Sequence, residues 1–285
     1  MKEKYTLHTI ISAVGIGENR IDTFNKRDEL RFSFRVQEKG YLGVHFQTGE
    51  MGDEEGYAIA RQNLALKRPY PFTLETGRRS RDKTERVLTD RLLLEIAGEA
   101  LEHVHSRYPD FTLNGSFAQA IIYSGQENDR GLDYSNRDCT AYFGFSFKHR
   151  DSRELSDGRF SIGQRDFDPQ KFYAMADNYL GSFEIKRELP DEIIVQMPYY
   201  DLLDLLAGSL NAENMCLGTS LLSGRIGEKV FADDFSLAHD VSDEECWNTP
   251  FFDGEGVTQE GDRLPYIENG VVLRGYADKR TAAKY

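Results

Sequence analysis

Phe32-Ser33-Phe34-Arg35-Val36, the turn Lys39-Gly40, and Leu42-Gly43-Val44-His45-Phe46 form the stretch that decides the fold. Side chains alternate sides along an extended chain, so apolar residues at every second position give a strand one apolar face. Phe32, Phe34 and Val36 alternate with Arg31, Ser33 and Arg35, and Leu42, Val44 and Phe46 resume the pattern after the turn. Residues 30–47 therefore read as a half-buried antiparallel hairpin with His45 on its polar face.

Outward from this hairpin the same logic repeats. Phe143, Phe145 and Phe147 alternate with Gly144, Ser146 and Lys148, and residues 117–124 read as another strand. Residues 53–66 read as a helix stopped by Pro69, and Asp82-x-x-Glu85 as a capping box. Leu93, Ile96, Ala97, Ala100, Leu101 and Val104 then recur at three-four spacing, the mark of an amphipathic helix. Asp168-Pro169 starts a further helix that Gly181 ends. The charged, proline-terminated run 184–190 suggests a boundary between an N-terminal region, 1–188, and a C-terminal one, 189–285. Beyond it, 192–197 reads as a buried strand, and Pro198 leads into a helix carrying Leu202, Leu203, Leu205, Leu206 and Leu210. Asn269-Gly270 is the preferred dipeptide of a tight hairpin turn, and Asp278 reads as a helix N-cap. The class is α+β, with antiparallel strands dominating.

A formal charge of −13 works against sequence-independent nucleic-acid binding, which needs a basic face to displace counterions. No apolar run approaches the ~20 residues that span a bilayer, and residues 1–6 do not open a signal peptide. Cys139, Cys216 and Cys246 are odd in number and far apart, which suggests neither a disulfide framework nor a zinc knuckle. A reducing cytoplasm is the expected setting.

Four segments carry a resemblance. Leu202-Leu203-Asp204-Leu205-Leu206-Ala207-Gly208-Ser209, Gly224-Arg225-Ile226-Gly227-Glu228, Phe252-Asp253-Gly254-Glu255-Gly256-Val257 and Ile267-Glu268-Asn269-Gly270-Val271 resemble, in order and spacing, the TldD/TldE (PmbA) family of bacterial metallopeptidase subunits. Upstream, the Asp133-Tyr134-Ser135-Asn136 turn, the strand after it and the helix at 168–180 fall in family order with looser motifs. The resemblance implies an N-terminal α/β region with an antiparallel sheet and a C-terminal β-rich region, here incomplete, since family members continue past Tyr285. It also implies two paired subunits enclosing a chamber, one of which holds zinc through a His-Glu-x-x-x-His helix. On that helix Asp204 stands at the first histidine, Leu205 at the glutamate and Ser209 at the second histidine, while Gly208 keeps the family glycine. Leucine neither binds a metal nor accepts a proton, so the resemblance implies the TldE/PmbA side. No cofactor is expected in this chain, zinc is expected in a TldD-like partner, and the substrate is expected to be peptide. Neither nucleic acid nor membrane is an expected partner.

Other polar groups read as structural. Asp253, Glu255 and Gly256 suggest a tight turn with carboxylates capping backbone N–H groups. Gly224, Gly227 and Glu228 suggest another, without the lysine of a nucleotide loop. His103 and His105 point to different helix faces. The run Asp233, Asp234, His239, Asp240, Asp243, Glu244, Glu245 and Cys246 gathers potential ligands, but no closely spaced His or Cys pair. It supports an alternative reading, an autonomous metal-dependent hydrolase. A third is a regulatory binding module, because the family has been described as modulating DNA gyrase.

Overall fold

The stretch around Phe34 is a hairpin, set in a larger sheet than its alternation predicts. In a computed structural model of the protein, residues 1–165, 167–183, 199–242 and 246–284 are described, with 199–201 as backbone alone. The elements run β1 (Lys2–Gly17), β2 (Arg20–Glu38), β3 (Tyr41–Thr48), α1 (Asp53–Gln62), β4 (Arg68–Pro69), β5 (Gly77–Lys83) and α2 (Asp90–Arg107). Next come β6 (Phe111–Asn128), β7 (Leu132–His149), β8 (Gly158–Gln164), α3 (Pro169–Phe183), α4 (Tyr199–Leu210) and α5 (Ala212–Leu217). The last are β9 (Leu237–Asp240), β10 (Arg263–Glu268), β11 (Val271–Val272) and α6 (Lys279–Lys284). The strand expected at 192–197 lies outside the described residues. The class is α+β, as expected.

Two compact units emerge: Met1–Arg187 with Trp247–Val257, and Glu188–Cys246 with Thr258–Tyr285. In the first, an eight-stranded sheet runs β4-β3-β2-β1-β6-β7-β5, with β8 also on β7. Its pairings are antiparallel except β5 on β7. Helices α2 and α3 cover one end of one face. Leu93, Ala97, Ala100 and Val104 of α2 and Phe172, Ala176 and Leu180 of α3 pack with Val14, Phe117, Phe143 and Phe145. Each large side chain buried there contributes about 1.5–3 kcal/mol. In the second unit, Leu210, Met215, Leu222, Ile267 and Val272 form a smaller core beside the sheet β11-β10-β9.

Two local expectations are corrected. The capping box is not one: Asp82 lies in β5, one residue before its end, and accepts from the backbone N–H of Thr84 at 3.0 Å and its hydroxyl at 2.6 Å. Helix α2 starts later, where Thr89 caps Leu92 N at 3.2 Å. The second correction concerns faces. A two-residue turn pairs Glu38 with Tyr41, so even positions of β2 share a face with odd positions of β3. Phe34 therefore pairs with His45, and the two rings stack at 6.4 Å. His45 is thus on the face that α1 covers, where Phe34, Val36 and Ala60 are buried. Leu42 belongs to the opposite face, packed with Tyr70 and Leu74, and Phe46 is 74% exposed.

Candidate functional site

Helix α4 carries the positions where the resemblance sets the zinc ligands. Its apolar residues divide by depth: Leu206 and Leu210 are buried, whereas Leu202, Leu203 and Leu205 are exposed. Asp204 is exposed and Ser209 buried at 8%, so the two do not converge on one point in solvent. Leu205 offers no donor atom. The residues present do not fit a zinc ion. Gly208 leaves open space around itself, and its carbonyl accepts from the Asn214 side chain at 3.2 Å.

The Phe252–Val257 motif lies in the first unit, on the sheet face opposite the helices. Asp253 folds the turn, its carboxylate accepting from Glu255 N at 2.8 Å and Val257 N at 2.9 Å. Gly256 takes φ +74°. Glu255 accepts from the Tyr70 hydroxyl at 2.7 Å and stands 3.6 Å from the Arg35 guanidinium. That guanidinium also donates to Glu3 at 2.8 Å and to the Gly254 carbonyl at 3.1 Å. Burial, together with the hydrogen bond to Glu255, pushes the Tyr70 phenol up to about 12. Upstream in the same segment, Phe252 meets the rings of Tyr5 and Tyr134, and Asn248 N donates to Asp138 at 2.9 Å. Arg165 grips the same buried carboxylate at 2.8 and 3.0 Å. The bonds of Arg35 to Gly254, Tyr70 to Glu255 and Asn248 to Asp138 are charge-assisted and fix the segment in place.

Sequence reasoning missed Glu3, Arg35, Tyr70 and Asp138. Arg35 occupies the polar half of an alternating strand, and Glu3, the Tyr70 ring and the segment laid over it take it out of solvent.

The remaining positions are dispersed. Gly224 and Gly227 have φ +72° and +84°, and Gly227 N donates to Val272 O at 2.7 Å, so this turn docks on β11. Glu228 pairs with Arg225 at 2.6 Å. Asp233 pairs with Lys229, and Asp240 lies 3.4 Å from Arg263. Asp243, Glu244 and Glu245 lie outside the described residues. Among the described residues no three His, Cys, Asp or Glu side chains gather closely enough to hold a metal ion. His103 bonds Asp177 at 3.0 Å and stacks on Tyr173 at 4.2 Å. No disulfide joins the three cysteines, and no described helix is long and apolar enough to cross a membrane.

A two-unit α+β protein with a displaced acidic-glycine turn is the class that this geometry defines. Residues 193–285 match the family model of the PmbA/TldA metallopeptidase C-terminal domain, which bears out the resemblance to the TldD/TldE (PmbA) family. The fold extends the likeness over 99% of the chain. TldE from Thermococcus kodakarensis aligns with a TM-score of 0.83 at 16% identity, over 67% of its own length. A candidate modulator of a DNA gyrase from Thermotoga maritima aligns at 0.81 and 19% identity, over 68% of its length. Another from Bacteroides thetaiotaomicron aligns at 0.77 and 13%, over 69%. No curated protein sequence matches the chain.

Proposed function

We propose that this chain is the non-catalytic, TldE/PmbA-like subunit of a TldD/TldE-type zinc metallopeptidase complex acting on unfolded or modified peptides. The observation that carries this reading is the donor set of α4. Leu205, at the position to which the resemblance gives a general base, is exposed, and Ser209, at the position to which it gives a ligand, is buried. In this reading the zinc, the base and the activated water belong to a TldD-like partner in the cytoplasm. This chain supplies chamber wall and strand edge, whose backbone groups hold extended peptide without regard to sequence. The test is reconstitution: the chain is mixed with a zinc-binding partner and peptide cleavage is followed. Partner activity that is indifferent to this chain sinks the proposal.

A second reading, a regulatory module that binds another protein, draws on the two structural relatives described as candidate gyrase modulators. The charge of −13 favours a protein contact over a DNA contact. The autonomous-hydrolase reading draws less support, because Asp233 and Asp240 are engaged with Lys229 and Arg263.

A further inference from the structure

On the helix-bearing face of the large sheet, α1 and α2 leave a strip of strand surface between them. His8 lies on that strip, four residues from Lys4, which bonds Asp53 of α1. It is six residues from Val14, which is packed under α2. A hollow of about 320 Å³ opens there, lined by His8, Ile10, Ile121, Tyr123 and Arg137. This is near the lower limit for small-molecule sites, and Ile10 and Ile121 make its floor apolar.

The polar groups are arranged above that floor. Register explains the arrangement: β1, β6 and β7 pair so that Ile10 opposes Ile121, His8 opposes Tyr123, and Tyr123 opposes Arg137. Three side chains that can donate to an anion thus stand in a row across adjacent strands. Tyr123 lies down over Gly125, where an added Cβ would be 2.5 Å from the phenol oxygen. Asp28 holds the His8 ring at 2.6 Å. Arg137 has one long contact, 3.4 Å to Asp82, with both side chains about half exposed. An exposed pair of this kind is worth about 0–1 kcal/mol, so little opposes its exchange for a better partner. A carboxylate would take the guanidinium in the fork geometry that Arg favours, with the phenol as a further donor.

We infer that this hollow binds a carboxylate carried on an apolar body of about leucine size. The chemistry is shared by a free branched-chain acid and by the carboxyl end of a peptide. The inference does not depend on the subunit reading.

Calorimetric titration of the full chain tests it with 4-methylpentanoate and with an N-acetylated tripeptide ending in leucine, each against its primary amide. At least one acid is expected to bind, and its amide about tenfold more weakly, the loss of one charge-assisted pair. Binding of the free acid alone identifies a small-molecule site, and binding of the peptide alone identifies a chain-terminus site. Arg137→Gln is expected to lose about tenfold in affinity without losing the fold, since its side chain is 53% exposed. Gly125→Ala, which pushes the phenol off its resting place, is expected to weaken binding while thermal unfolding stays cooperative. Acid and amide binding alike, full affinity in Arg137→Gln, or no heat from either acid overturns the inference.

Discussion

Tyr70, a residue only 2% exposed, donates to a carboxylate that the Arg35 guanidinium also addresses. Tyr70→Phe leaves Glu255 without that donor, and is expected to destabilise the first unit by about 1–3 kcal/mol in urea unfolding. The pH response has a definite sign. Folding raises this phenol from 10.0 to about 12, so the protonated form is favoured in the folded state. Its contribution is fully present below 10 and is lost as pH rises toward 12. Denaturation midpoints measured between those values should fall more steeply for the native chain than for Tyr70→Phe. Equal slopes would show that Tyr70 does not carry the effect. Nothing in the sequence singles out this tyrosine, because its partner is 185 residues away.

Helix α1 rests on β3 so closely that a Cβ on Gly43 would come 1.9 Å from the Ala60 carbonyl oxygen. Backbone gives way poorly, so Gly43→Ala is expected to cost at least the ~1–3 kcal/mol typical of overpacking, read as a lowered urea midpoint. A midpoint unchanged by the methyl group would mean that α1 does not sit there. The turn after β10 makes a similar demand: Asn269 and Gly270 have φ +49° and +80°, and a Cβ on Gly270 would meet Phe231 O at 2.3 Å. This turn, the hairpin of β2 and β3, and the helices α2 and α3 were legible because period and turn chemistry are local. The facing of β3 was not legible from its own alternation, since the parity of the two-residue turn decides it. Strand β1 was missed for a different reason. It pairs with both β2 and β6 and is partly covered on both faces, so Leu7, Ile10, Ile11 and Val14 show no clean alternation.

Metal analysis of the purified chain should find no stoichiometric zinc, and a complex with a zinc-binding partner should carry zinc that Leu205→Ala does not displace. With a charge of −13, the chain should not retard duplex DNA in a gel at low salt, where counterion release helps binding most. Helix α4 was legible in the sequence from its leucines and the proline before it. The network around Glu255 was not, because it joins Glu3, Arg35 and Tyr70 to a turn more than 180 residues downstream. That distance has a consequence for synthesis. The first unit is built from residues up to Arg187 and is completed by Trp247–Val257, so its last piece leaves the ribosome 70 residues after the rest. At about 5–20 residues per second, the delay is roughly 4 to 14 s. Throughout that interval Arg35 lacks its bond to Gly254, Asp138 its bond from Asn248, and Tyr134 the rings of Phe251 and Phe252. The native arrangement of this unit is therefore gated by the progress of translation as well as by its own folding rate.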